Sequence, residues 1–109
     1  MQGTKKFSVT HTHATAAKAE QATPGADKRL FITDIVGSSD KPDAQIKIIQ
    51  DSGGTPVTKF QSQFRVDGTN NGIFAYQFKT PIIIDANKKA SVEVDGTAVC
   101  CANMAGFIL

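Results

Sequence analysis

From residue 28 to the C-terminus, short apolar runs alternate with turn signals. Residues 29–36 make the first run, closed by Gly37-Ser38-Ser39-Asp40-Lys41-Pro42-Asp43, and residues 44–50 make the second, closed by Asp51-Ser52-Gly53-Gly54. A third spans residues 57–66 and ends in the turn cluster Asp67-Gly68-Thr69-Asn70-Asn71-Gly72. In residues 73–79, Ile73, Ala75 and Gln77 alternate with Phe74, Tyr76 and Phe78. Pro81 interrupts before Ile82-Ile83-Ile84, a further alternating run covers residues 90–94, and residues 98–109 finish the chain. Alternation with period two, β-branched residues and turns every 8 to 12 residues are the pattern of a β-sandwich or barrel. The expected fold is all-β: a small, antiparallel, jelly-roll-like β-sandwich of seven or eight short strands over residues 28–109.

The first 27 residues have a different texture. They are rich in Thr and Ala, and after Met1 their only large apolar side chains are Phe7 and Val9. Residues 7–13 alternate, which fits a short strand. Residues 14–22 consist mainly of good helix formers and fit two helical turns, ended by Thr23-Pro24-Gly25. With no apolar stripe, such a helix is marginal alone. The region therefore reads as an extended N-terminal arm, residues 1–27, with little core of its own. Ordering it needs a neighbouring chain, with Phe7 and Val9 as apolar anchors and strand addition as the mode for residues 7–13.

Composition narrows the function. The chain has 109 residues, which suits one domain. With 12 Lys plus Arg against 10 Asp plus Glu, a formal charge of +2 argues for neither nucleic acid nor an anionic membrane as partner. No apolar run approaches the ~20 residues of a spanning helix. Met1 is followed by Gln, Gly, Thr and two lysines with no apolar stretch behind them, so no secretory signal is expected. A core of ~80 residues without Trp is modest, and a sandwich has edges to cover. Both features favour self-association, and a homotrimer is expected. The apolar terminus Phe107-Ile108-Leu109 either closes the core or covers a subunit contact.

Candidate chemistry is sparse. His11 and His13, at i and i+2, share one face of a strand. Copies in a symmetric trimer would be needed to make a full metal site of them, and two ligands per chain fall short of one, so they read as polar arm residues. Cys100 and Cys101 are adjacent, face opposite sides of a strand, and read as free packing thiols. Residues 67–72 lack the spaced acidic positions of a calcium loop and read as a hairpin turn. No serine sits in a nucleophile elbow and no Cys–His pairing is suggested. No catalytic residue, metal site or cofactor is expected, and the chain does not read as an enzyme. The partner-binding candidates are Phe7, Val9, His11, His13, Phe107, Ile108 and Leu109. The aromatic residues Phe31, Phe60, Phe64, Phe74, Tyr76 and Phe78 read as core more readily than as an exposed stripe.

Several segments carry a resemblance. They are Lys28-Arg29-Leu30-Phe31-Ile32-Thr33-Asp34-Ile35, a short strand ending in Asp51-Ser52-Gly53, then Phe78-Lys79-Thr80-Pro81-Ile82, Asp85-Ala86-Asn87-Lys88-Lys89-Ala90 and Val92-Glu93-Val94-Asp95-Gly96-Thr97-Ala98. In this order, over residues 20–109, the chain resembles small β-sandwich virion proteins of tailed bacteriophages. The resemblance implies a structural role such as a head decoration or cement protein. Such a protein is made in the host cytoplasm, sits on the capsid surface, often as a trimer, and contacts the major capsid protein. It brings no catalytic residues. A tail- or fibre-associated adhesin that binds a host-surface receptor is the alternative, and an enzyme or small-ligand binder of jelly-roll type is the third class.

Overall fold

The structure is a computed structural model that describes residues 5–13, 15–64 and 72–109. Eight strands run in chain order: β1 (Lys5–His13), β2 (Ala16–Gln21), β3 (Leu30–Ser39), β4 (Ala44–Gln50), β5 (Val57–Phe64), β6 (Gly72–Ile83), β7 (Ala90–Asp95) and β8 (Cys100–Ile108). They form two four-stranded sheets, β1-β8-β3-β6 and β2-β7-β4-β5, and every ladder is antiparallel. All successive strands except β4 and β5 change sheet. This is the double Greek-key order of a jelly roll. The all-β sandwich expected from the alternation is the fold.

Alternation decides which side chains enter the space between the sheets. On β4, Ala44, Ile46, Ile48 and Gln50 are buried and the residues between them are not. Leu30, Ile32 and Ile35 from β3, Val92 and Val94 from β7, and Ala102 and Met104 from β8 complete the centre. Burying each large aliphatic side chain is worth roughly 1.5–3 kcal/mol. Between Ile32 and Asp34 the ladders of β3 slip, so Ile32 and Ile35 both point inward. At this bulge the backbone of β8 lies hard against β3. A Cβ on Gly106 would run into the carbonyl of Phe31, so only glycine fits.

The N-terminal reading needs correction. Residues 5–13 need no neighbour to be ordered: β1 pairs along its whole length with β8 of its own chain, from Lys5 opposite Ile108 to His13 opposite Cys100. Residues 16–21 are not helical but form β2, paired with β7. The arm is therefore an edge strand of each sheet. Helix propensity differences are fractions of a kcal/mol per residue, and tertiary context overrides them here. Ala17 and Ala19 alternate inward opposite Val94 and Val92 and are buried. Phe7 and Val9 pack against this chain's own core.

Pro81 does not end a strand either. β6 continues through it, because β6 is a sheet edge and residues 78–81 fall between rungs of the β3 ladder. Arg65, Val66 and the expected turn at 67–71 lie outside the described residues. Asp43, Asp51 and Asn87 take the left-handed conformation at turns, with φ of 60°, 55° and 66°, as Asp and Asn tolerate best.

Candidate interaction surface

β5 and β6 are the free edges of the two sheets on the same flank of the sandwich. Their inward positions are set by register. Phe60 pairs with Ile48 and Phe64 with Ala44, while Phe74 pairs with Gly37 and Tyr76 with Ile35. All four partners are buried, so these aromatic side chains point into the gap between the sheet edges, and Phe78 follows two residues after Tyr76. Gly37 belongs to this arrangement, since a Cβ there would press on Val94 and Ile46 of the opposite sheet.

The five rings close the seam. Phe60 lies at the centre, edge-on to Phe78 at 5.1 Å, with Tyr76 at 6.1 Å and Phe74 at 6.4 Å. Phe64 lies 6.0 Å from Phe74, and Tyr76 lies 4.9 Å from Phe78. These are favourable edge-to-face and tilted separations. Only Phe64 is buried; Phe60, Phe74 and Phe78 are half-buried and Tyr76 is 49% exposed.

The apolar surface continues around β6. Of the seven large hydrophobic residues exposed among the described residues, Val36, Val57, Ile73, Tyr76 and Ile83 lie on β3, β5 and β6. Ile73 is the most open, at 74%. On the outer face of this sheet, Ile73 and Ala75 flank Ser38 and Val36, and Ile83 lies opposite Phe31. Phe31 in turn stacks on Phe107 of β8 at 4.9 Å. Two shallow depressions meet at Asp34, whose carboxylate accepts a bond from the Thr33 hydroxyl at 2.7 Å. One, of about 260 Å³, is lined by Val36, Ala75 and Gln77; the other, of about 600 Å³, by Lys6, Ser8, Ala105 and Phe107.

The opposite sheet differs in kind. Its outer face carries a cross-strand row, Lys18 beside Glu93 beside Lys47, and ends in Glu20 between Lys18 at 3.5 Å and Lys89 at 3.4 Å. The Ser52 hydroxyl, which donates to Glu20, and the two lysines hold that carboxyl below its usual range. Burial pushes the Asp95 carboxyl up, but Lys41 at 2.9 Å and the Gln45 N–H outweigh it, so the net shift is down. Alternating signs of this kind make a well-solvated face.

The sequence-derived partner candidates scatter. Phe7 and Val9 line the core, and Ile108 is buried in it. Leu109 is half-exposed, its backbone paired with Arg29 in both directions. Phe107 alone joins the apolar outer face, while His11 and His13 are exposed on β1. Phe60, Phe74, Tyr76 and Phe78, which read from the sequence as core more readily than as a binding stripe, are only partly covered, and Ile73 is not among the sequence-derived candidates. The available signal was that Ile73, Ala75 and Gln77 put an apolar side chain on the polar phase of the alternation. Among the described residues no three His, Cys, Asp or Glu side chains gather into a metal-binding group.

No family model matches the chain, and none of the curated proteins matches it. Among solved structures it is similar to the carbohydrate-binding module TmCBM61 in complex with beta-1,4-galactotriose. The identity is 14% and the TM-score 0.38, over 95% of this chain and 68% of that one. A likeness of that size says nothing of what this chain binds.

Proposed function

We propose that this protein is a bacteriophage virion structural protein, a capsid decoration or cement protein of the outer head surface, held in the assembly by its β5/β6 flank. The observation that carries the docking surface is the concentration of exposed apolar side chains on that flank: Val57 on β5, Ile73 on the outer face of β6, and Tyr76 within a half-open aromatic seam. Exposed apolar patches of this kind mark protein contacts, and aromatic anchors dominate their energetics. The virion assignment itself rests on the resemblance of residues 20–109 to phage β-sandwich proteins. The partners on this reading are the major capsid protein and further copies of this chain, in a homotrimer, with neither nucleic acid nor membrane involved.

The test uses phage particles that lack the protein. Wild-type chain added back is expected to restore an outer density in electron cryo-microscopy, and Tyr76→Lys with Ile73→Asp to lower its occupancy at least tenfold while the variant stays folded. Undiminished occupancy would remove the flank as the docking surface. No difference between particles with and without the gene would remove the virion role. Light scattering at micromolar concentration checks the trimer.

A further inference from the structure

The stacked histidines on β1 have no part in the proposed docking surface. β1 is the free edge of its sheet on the side away from β5 and β6. Its ladder with β8 fixes the backbone at His11 opposite Ala102 and at His13 opposite Cys100. Both side chains therefore leave the strand on one face, two residues apart. Both are exposed, and their rings stack nearly parallel, with 17° between their planes and centroids 5.8 Å apart.

From this geometry we infer that His11 and His13 form a surface chelate for a divalent cation that prefers imidazole, of the zinc, nickel or copper type. Two ring nitrogens bound to one such ion, each at ~2.0–2.1 Å and at a roughly tetrahedral angle, bring the ring centroids to about 5 Å. Because a bound ion lies in the plane of each imidazole, the rings must also turn out of their stack as they close by less than ~1 Å, and side-chain rotation at an exposed edge permits both movements. The backbone spacing that a chelate requires is already set by the β-ladder, so little ordering entropy is lost on binding. The Nδ1 of His13 accepts a long bond from the Thr15 N–H, at 3.5 Å, and gives it up at little cost. Two imidazoles fill half of a four-coordinate shell, and water takes the open positions. Nitrogen ligands without a carboxylate select against calcium and magnesium, which take oxygen.

The test uses the full chain without a polyhistidine tag, stripped of metal with a chelator. Copper(II), nickel(II), zinc and, as oxygen-preferring controls, calcium and magnesium are titrated separately by calorimetry. Copper is expected to bind most tightly, nickel and zinc more weakly, and the controls not at all. His11→Ala and His13→Ala should each weaken copper binding at least tenfold, with the melting temperature in chelator unchanged. His11→Gln, which keeps the polar surface, should behave like His11→Ala. Absence of copper and zinc binding by the wild type at millimolar ion overturns the site. So does binding that survives both single substitutions.

Discussion

The two flanks of the sandwich close in opposite ways. Where β1 meets β2, the buried residues of β2 are the small Ala17 and Ala19, and β1 contributes half-buried Phe7 and Val9. Where β5 meets β6, five aromatic rings fill the gap and four of them remain open to solvent. The first flank is closed by Ala17, Ala19, Phe7 and Val9 and carries Ser8, Thr10 and Thr12 on the outer face of β1. The second has more apolar surface than its own sandwich covers. The difference separates the segment that looks poor in sequence from the segment that is unfinished in structure. The threonine- and alanine-rich N-terminus is complete once it has joined both sheets, and the aromatic flank is the one that still has surface to give to a partner.

Deleting residues 1–22 makes the largest break in this comparison. It strips an edge strand from each sheet, exposes the β8 and β7 edges, and uncovers the core beside Val92, Val94 and Met104. The truncated chain is expected to lose its cooperative thermal transition and its β-type circular dichroism. A folded truncated domain would return these residues to the status of an arm.

Single substitutions at the two seams should be opposite in kind. Phe60→Ala empties the centre of the aromatic cluster. Because Phe60 is only half-buried, the expected loss is about 2 kcal/mol, below the ~3–5 kcal/mol of a fully buried Phe. Ala19→Leu overfills the small seam, where Ala19 is 3% exposed, and should cost about 1–2 kcal/mol. Urea unfolding measures both. A tolerated Ala19→Leu would mean that the β2 seam has room to spare.

Much of the fold was legible because alternation survives wherever one face is buried. Residues 44–50 read as a strand and are one, and residues 90–94 become β7 with one more residue. The N-terminal strands were not legible as part of the sandwich, since Ala17 and Ala19 look the same in a helix, a strand or a coil. What fixes them is the pairing with residues 90–95, from 69 to 79 positions away. The aromatic surface was hidden for a related reason. Phe74, Tyr76 and Phe78 do occupy the inward phase, as alternation implies. Only the topology shows that β6 is an edge strand, where an inward side chain is covered on one side alone. Likewise, the sequence puts His11 and His13 on one face, but their stacking and exposure follow from β1 being an edge.

Acid should act on the turns that tie the sheets together, not on either seam. Asp40 accepts the Thr97 and Ala98 N–H groups at 2.8 and 2.7 Å, and these bonds hold its carboxyl below the usual range. Asp51 is lowered in the same way, by the Thr55 N–H with help from Lys88. A carboxylate lowered in the folded state gives stability that is present above its unfolded pKa, about 3.9 for Asp, and lost as pH falls through the lower folded value. The melting temperature should therefore be level from pH 8 to about 5 and drop below about 4. Asp40→Asn should melt lower than wild type at pH 7, and the two curves should converge toward pH 2.5. Parallel curves over the whole range would mean that the charge of Asp40 contributes nothing.

Reduction should have the smallest effect, which is none. Cys100 and Cys101 open β8 beside the small-residue flank, and both thiols are free. Cys100 points inward, fully buried, and its Sγ lies 3.3 Å from the His13 carbonyl, to which it donates. Burial pushes its thiol above the usual pKa, so little reactive thiolate forms at neutral pH. Cys101 is half-exposed on the outer face, opposite Thr12 and Ser38. Extended strand geometry holds the two sulfurs on opposite sides of β8, so a bridge between them would require breaking the ladders to β1 and β3. Equal melting temperatures with and without a reducing agent are therefore expected. A lower one in reductant would mean that Cys101 joins two chains across the outer face of its sheet, and would extend the association surface from β6 as far as β8.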